Sequence, residues 1–393
     1  MRILLVSLGL FKVPHKSGGG VEFHTYNLAN ALGKLGHEVH YVVNVTEKAN
    51  HHENVIVHRI GAPDFPLRTK GFFGWTKNYF LANWYAFKKA KHVLNNSLNV
   101  HFDVIHGHGN LSSLLLSRFL RENPLIYTVH NPTPWMCNYE TSTEKTIRAV
   151  VWRGVEIPLW KKSHHLIALS KDIKDEIIRF GISDEKIDVI PNGVDTNLFL
   201  AQPHYKQIIK TKYGLDKYCL FVGQLVQRKG VHYLLQALAD VNIPCVVVGD
   251  GPQYANLVSL AKTLRIIDRV IFTGALSTEE IIPLYSSASF FVLPTIAEAF
   301  PLVLLEAMAC SLPVIATRIG AAPEIISEGW NGFIVRPANV EQLREKIEFL
   351  AENPELCREM GKNARKFVER KFSWDSIAER VTNVYEKVLE EKQ

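Results

Sequence analysis

Short apolar runs rich in valine, isoleucine, leucine and phenylalanine alternate with longer stretches of helical period along the whole chain. Runs of that length with few polar positions suit strands buried on both faces, and the stretches between them suit the helices that cover those faces. The pattern predicts an α/β fold of doubly wound parallel sheets. In the first half, strands are expected at Arg2 to Ser7, Glu38 to Val45, Val55 to Arg59, Asp103 to His106, Leu125 to Val129, Leu166 to Leu169 and Asp188 to Ile190. A second series, Cys219 to Gly223, Cys245 to Val248, Val270 to Thr273, Phe290 to Leu293, Val314 to Ala316 and Phe333 to Val335, starts a fresh sheet. Two sheets need two cores, and 393 residues that are 47% apolar can fill both.

The turn sequence Pro191-Asn192-Gly193-Val194-Asp195, followed by a polar stretch to about Tyr218, places the connection near Asn197. The domains expected are 1–197, 198–371 and a terminal segment, 372–393. In that segment Ile377, Val381, Val384, Tyr385 and Val388 form one face of an amphipathic helix opened by a serine cap at Ser373. Met1 to Leu10 has the apolarity of a short leader but no small-residue cleavage site after it, so a first buried strand is expected there. No apolar stretch approaches the roughly 18 to 20 residues of a membrane-spanning helix. The cysteines, Cys137, Cys219, Cys245, Cys310 and Cys357, are odd in number and scattered, which suits reduced packing residues and a cytoplasmic compartment.

Charge is unevenly placed. Residues 1–197 carry 23 Lys+Arg against 17 Asp+Glu and the remainder 22 against 22, so the whole net charge of +6 lies in the first half. A surplus this small calls for no nucleic acid; it reads as a solvated surface or as an attraction to an anionic membrane or acidic acceptor. The stretch Arg68 to Lys91, with Phe72, Phe73, Trp75, Tyr79, Phe80, Trp84, Tyr85 and Phe87, reads as a packed helix or as a peripheral contact with lipid.

Ligands of open α/β sheets lie beyond the carboxyl ends of the strands, and four loops there have unusual composition. Gly18-Gly19-Gly20 precedes a helix expected to begin near Phe23 and reads equally as a phosphate approach or a flexible loop. Gly223 ends a strand, and Arg228 and Lys229 follow where the next helix is expected to start. Cations there oppose the helix dipole by roughly 0.3 to 1 kcal/mol each unless an anion lies between them. A diphosphate would supply that anion, gripped bidentately by Arg228 and attracted by Lys229 as a point charge.

The third loop runs from Pro294 to Met308, with Pro301 expected in the first helical turn, Glu298 ahead of it and Glu306 in the second turn. Carboxylates in so apolar a stretch need good hydrogen-bond donors, and sugar hydroxyls are suitable. The free amides of Ala299, Phe300 and Leu302 can face a diphosphate or a sugar. The fourth loop carries His130 at the end of a strand, and 14 of the 16 histidines lie before residue 197. No metal site is expected at His106 and His108, taken as pointing to opposite faces of their strand.

Taken together, GGVEFHTYNLANAL, IPNGVD, VGQLVQRKG, VVVGDGP, the E-x₇-E stretch EAFPLVLLE and the terminal FSWDSIAERVTNVYEKVL resemble the retaining glycosyltransferases of family 4. The likeness covers nearly the whole chain. It implies the GT-B architecture, two Rossmann-like domains facing each other across a cleft, with the terminal helix crossing back to the N-terminal domain. The resemblance places Arg228 and Lys229 on the donor diphosphate, Glu306 on the ribose and Glu298, with Ala299 to Leu302, on the transferred sugar. Gly274 to Leu276 would read the base, Gly18 to Gly20 would close on the diphosphate, and His130 would stand beside the donor sugar.

It further implies transfer of a hexosyl-type sugar from a UDP- or GDP-sugar to a carbohydrate, lipid-linked or small-molecule acceptor, with retention. No cofactor and no metal are expected, in keeping with the lack of a D-x-D triplet in the sequence. Two rival readings remain: a nucleotide-sugar epimerase of the same architecture, and a catalytically silent binding protein. A NAD-dependent dehydrogenase is disfavoured by the missing glycine fingerprint.

Overall fold

The computed structural model describes residues 1–7, 20–43, 51–60, 72–96, 101–119, 123–130 and 152–392. The chain divides into two compact units. The first takes Met1–Asn192 with Trp374–Gln393, the second Gly193–Ser373, so the division falls five residues ahead of the expected Asn197.

The first unit is built on seven parallel strands: β1 (Arg2–Val6), β2 (Glu38–Val43), β3 (Val55–Arg59), β4 (Val104–Gly107), β5 (Leu125–Val129), β6 (His165–Ala168) and β7 (Ile187–Val189). Their order is β3-β2-β1-β4-β5-β6-β7. The chain builds outward from β1 in one direction, then returns to start β4 on its other side. A crevice opens at such a reversal because the flanking connections leave on opposite faces of the sheet. The helix Gly20–Lys34 begins three residues before the expected Phe23, so Gly20 is its first residue; Gly18 and Gly19 lie outside the described residues.

The second unit has six parallel strands: β8 (Cys219–Val222), β9 (Cys245–Val248), β10 (Val270–Gly274), β11 (Phe290–Leu293), β12 (Val314–Thr317) and β13 (Gly332–Val335). Their order is β10-β9-β8-β11-β12-β13, with the reversal between β8 and β11. Strands β3, β5, β9 and β11 have the expected ends. The others shift by one residue, except β2, whose expected end at Val45 is outside the described residues. Such small shifts arise because apolar runs mark the buried part of a strand and not its last hydrogen bond.

The terminal helix, Trp374–Glu390, belongs to the first unit. Trp374, Ile377, Val381, Val384, Tyr385 and Val388 join Leu28 and Leu32 of Gly20–Lys34 and Ile3 and Leu5 of β1 in one core. Ser373 precedes it in extended conformation and also ends the helix Pro354–Phe372. Where the chain passes between units it does so twice side by side, Val194 bridging Ser373 and donating its N–H to the Phe372 carbonyl at 2.8 Å.

Because Ile377 is fully buried in that shared core, Ile377→Ala removes contacts that the other helices cannot replace. The first unit should lose about 2 to 5 kcal/mol, read as a lowered urea midpoint for that unit. A midpoint unchanged within error would mean that the terminal helix contributes little to the core.

Candidate functional site

In the second unit, the loops that follow β8 and β11 meet at the reversal. Gln227–Lys229 forms a single 3-10 turn, and Gly230 then takes φ 69° before the next helix begins at Val231. Arg228 and Lys229 thus stand before the helix and not in its first turn, which corrects the sequence expectation. The left-handed residue that separates them from the helix has to be glycine. It occupies a conformation that costs other residues strain, and a Cβ there would also overlap the Pro294 carbonyl.

The loop after β11 is pinned to this turn. The Arg228 carbonyl accepts from the Ile296 N–H at 2.8 Å and from the Thr295 hydroxyl at 3.0 Å, while Arg228 Nη1 donates to the Ala297 carbonyl at 3.2 Å. On its other flank, Gly320 packs so closely against the carbonyls of Glu298 and Ala299 that a side chain has no room, and the Ala321 N–H donates to the Ala299 carbonyl at 3.1 Å.

Glu298 is brought into this bracket facing the cations. Its carboxylate pairs directly with Lys229 Nζ and lies 3.7 Å from Arg228 Nη1. Lys229 and Glu298 are mostly buried, at 11% and 17% side-chain exposure, while Arg228 is 36% exposed and leaves part of its guanidinium facing outward. The anion that relieves the two cations is therefore a carboxylate from the loop after β11, 69 residues from Lys229 in sequence. Gly223 adjoins the same group, since a Cβ on it would lie 3.9 Å from Lys229 Cε.

Pro301 is extended (φ −85°, ψ 93°) and immediately precedes the helix Leu302–Ala309, so it caps the helix from outside and does not form its first turn. Among the described residues, the amides of Ala299, Phe300 and Leu302 donate to no protein acceptor. Glu306 lies in the second turn. Its Oε2 accepts from the Tyr285 hydroxyl at 3.0 Å, and burial outweighs that bond, pushing the carboxyl up to about 7. Leu276 follows β10 at the sheet edge, partly exposed. Tyr285 and Gly320 were not foreseen: one is an apolar position in a helix until its hydroxyl finds Glu306, the other a turn glycine until its neighbours are known.

In the first unit, His130 is not alone. His108 Nδ1 and His130 Nε2 are 2.9 Å apart, and His24, on the helix Gly20–Lys34, stands with its ring centre 5.2 Å from that of His108 and 4.7 Å from that of His130. His106 and His108 share a face, with ring centres 4.3 Å apart. This overturns the expectation that they point apart, because successive strand residues alternate and residues two apart lie together. Burial holds His24 down to about 4, His106 to about 3, and His108 and His130 well below the usual imidazole range, with neighbouring rings adding repulsion for the last three.

The comparisons with known proteins match this architecture along its length. The family model of Glycosyltransferase Family 4 matches residues 18–198, and that of Glycosyl transferases group 1 matches residues 206–367. The MMP alpha-(1->4)-mannosyltransferase of Mycolicibacterium hassiacum is 32% identical over 73% of this chain and 71% of its own. This chain belongs to glycosyltransferase family 4. Among solved structures, sucrose-phosphate synthase from Thermosynechococcus elongatus superposes with a TM-score of 0.78 at 24% identity, covering 99% of both chains. The Anabaena protein HepE, solved with UDP and glucose, has a TM-score of 0.74 at 22% identity over 98% of this chain and 100% of its own. The glycosyltransferase thus has the GT-B fold, two parallel-sheet α/β domains.

The raised Glu306 carboxyl makes stability depend on pH. A carboxyl whose pKa is higher folded than unfolded contributes fully below the unfolded value near 4.5, and that contribution is lost as pH rises through about 7. Relative to Glu306→Gln, which keeps a partner for Tyr285 without the charge, wild type should lose up to about 3 kcal/mol between pH 4.5 and 8. Urea titrations across that range read the difference, and parallel profiles would refute it.

Proposed function

We propose that this glycosyltransferase moves a hexosyl-type sugar from a UDP- or GDP-sugar to an acceptor hydroxyl with retention of anomeric configuration, and that Arg228 and Lys229 hold the donor diphosphate without a metal. The observation that carries this reading is the cluster of Arg228, Lys229 and Glu298, with Lys229 and Glu298 mostly buried, at the sheet reversal of the second unit. HepE was solved with UDP and glucose, which supports UDP as the nucleotide.

In this reading the cations exchange partners. A diphosphate entering at Gly223 and the turn Gln227–Lys229 offers two cations more negative charge than one carboxylate, and it draws them from Glu298. Released, Glu298 accepts hydroxyls of the sugar, while the amides of Ala299, Phe300 and Leu302 serve the sugar or the phosphate. Glu306 accepts the ribose hydroxyls, and Gly274 to Leu276 faces the base. As the glycosidic bond breaks, positive charge develops at the sugar and negative charge grows on the departing diphosphate. Arg228 and Lys229 therefore stabilise the transition state more than the ground state. Retention, with the leaving phosphate taking the acceptor proton, rests on likeness to family 4.

The acceptor is a carbohydrate, a lipid-linked glycan or a small molecule. On the helix Phe72–Asn96, Ala82, Ala86, Phe87, Ala90 and Val93 are buried, while Phe80, Leu81 and Trp84 are exposed. Lys88 stands over the Trp84 ring and Lys91 over Phe119. That aromatic and basic face supports a peripheral contact with an anionic membrane from the cytoplasmic side, where the buried thiols of Cys219, Cys245, Cys310 and Cys357 stay reduced. No helix among the described residues is long and apolar enough to cross a membrane. Co-sedimentation with anionic vesicles should fall about tenfold or more in Trp84→Ala combined with Lys88→Glu and Lys91→Glu, and unchanged sedimentation would exclude this face.

A panel of labelled nucleotide sugars, assayed for nucleotide release and for the anomeric configuration of the product, tests the reaction. Lys229→Ala should lower kcat/KM about 10² to 10³-fold. A loss of tenfold or less would remove Lys229 from the transition state, and conversion of the donor sugar without any acceptor would point to epimerisation instead.

A further inference from the structure

In the second unit a buried tyrosine is aimed at the carboxylate that the proposed reaction gives to the ribose. Tyr285 lies on the helix Thr278–Ser287, which leads into β11, and Glu306 lies on the helix Leu302–Ala309, which follows that strand. The Tyr285 hydroxyl donates to Glu306 Oε2 at 3.0 Å.

Packing alone calls for neither partner. Leu304, Leu305, Ala307 and Met308 around Glu306 are fully buried, and a carboxylate among them costs free energy that an apolar side chain would not. Tyr285 is itself fully buried, and a buried phenol needs an acceptor. A backbone carbonyl meets that need for Tyr218, whose hydroxyl donates to the Leu284 carbonyl at 2.7 Å. Tyr285 meets it with an ionisable group whose other oxygen, Oε1, accepts from no donor among the described residues. Glu306 is partly exposed, and Oε1 is open to solvent.

We propose that Tyr285 is a positioning residue for nucleotide recognition: by holding Oε2 it fixes the Glu306 carboxylate so that Oε1 is presented to the ribose hydroxyls, and it thereby sets the preference for a ribonucleotide over its deoxy forms. This rests on the ribose contact of Glu306 proposed above. A glutamate loses much rotamer freedom when a ligand immobilises it. Here the phenol removes that freedom beforehand, because its ring is packed against Phe199 and Phe291, with ring centres 6.1 and 5.8 Å away.

Burial, joined by the neighbouring carboxylate, holds the Tyr285 phenol well above its ordinary pKa, so the hydroxyl stays a donor. Burial raises the Glu306 carboxyl, and the bond from Tyr285 opposes that rise, which favours the ionised form that accepts hydroxyls best.

The test measures, by calorimetry on the full chain, the affinity for UDP and GDP and then for the 2′-deoxy and 3′-deoxy forms of whichever binds more tightly. Wild type should bind at least one deoxy form about 10 to 100-fold more weakly than the parent, the cost of leaving a carboxylate oxygen without its hydroxyl. Tyr285→Phe keeps the ring and loses only the hydroxyl, and in it that ratio should shrink by about fivefold or more. In Glu306→Ala the ratio should fall to about one, and adding Tyr285→Phe there should change it no further.

Binding of neither nucleotide, or a wild-type ratio near one, would remove the ribose contact itself and this proposal with it. A wild-type ratio retained in Tyr285→Phe, with both affinities unchanged or lowered alike, would leave the ribose contact standing and reduce Tyr285 to a structural residue. A crystal structure of the wild-type chain with the same nucleotide decides even where a variant fails to fold. Tyr285 still bonded to Oε2, with a ribose hydroxyl on Oε1, is the expected result; Glu306 turned away from Tyr285 to reach the ribose would overturn the proposal.

Discussion

A parallel sheet is made only by carrying the chain back across one of its faces after every strand, and this requirement organises both units. It buries each strand on two sides, and it brings every strand's carboxyl end to a single edge. Side chains remote in sequence then become neighbours wherever the winding reverses. In the second unit this assembles Arg228, Lys229, Glu298 and Gly320 from the loops after three adjacent strands. In the first it assembles His24, His108 and His130 in the same topological position.

The two reversals have opposite chemistry. One carries fixed cations balanced by a carboxylate. Lys229 and Glu298 are largely buried, so their attraction is little weakened by solvent, and breaking it requires a compensating charge at the same place. In the proposed reaction that charge is the donor diphosphate. The other reversal carries imidazoles that burial keeps neutral.

Much of this was legible in the residues. The alternation of apolar runs gave both sheets, and four strands to the residue, because burial on both faces leaves a continuous apolar signature. Arg228, Lys229 and Glu298 stood out because their charges had no local partner. What they paired with did not, since Glu298 lies 69 residues after Lys229 and only the adjacency of β8 and β11 joins them. The start of the helix at Val231 was missed because one glycine with positive φ ends the turn before it, a conformation that composition does not announce. The histidine cluster was passed over through a period error at His106 and His108. Correct alternation puts both on one face, and His24, four residues into a helix, would still have needed the fold.

The placement of Trp374–Glu390 in the first unit bears on how the chain acquires its shape during synthesis. The second unit is one unbroken segment and has all its strands once residue 373 has left the ribosome. The first, although it is made earlier, lacks a wall of its core until Trp374–Glu390 emerges, and until then Leu28, Leu32 and Ile3 have no cover from that side. The earlier-born half is thus the later to mature, and a chain that stops before Trp374 leaves that apolar flank uncovered.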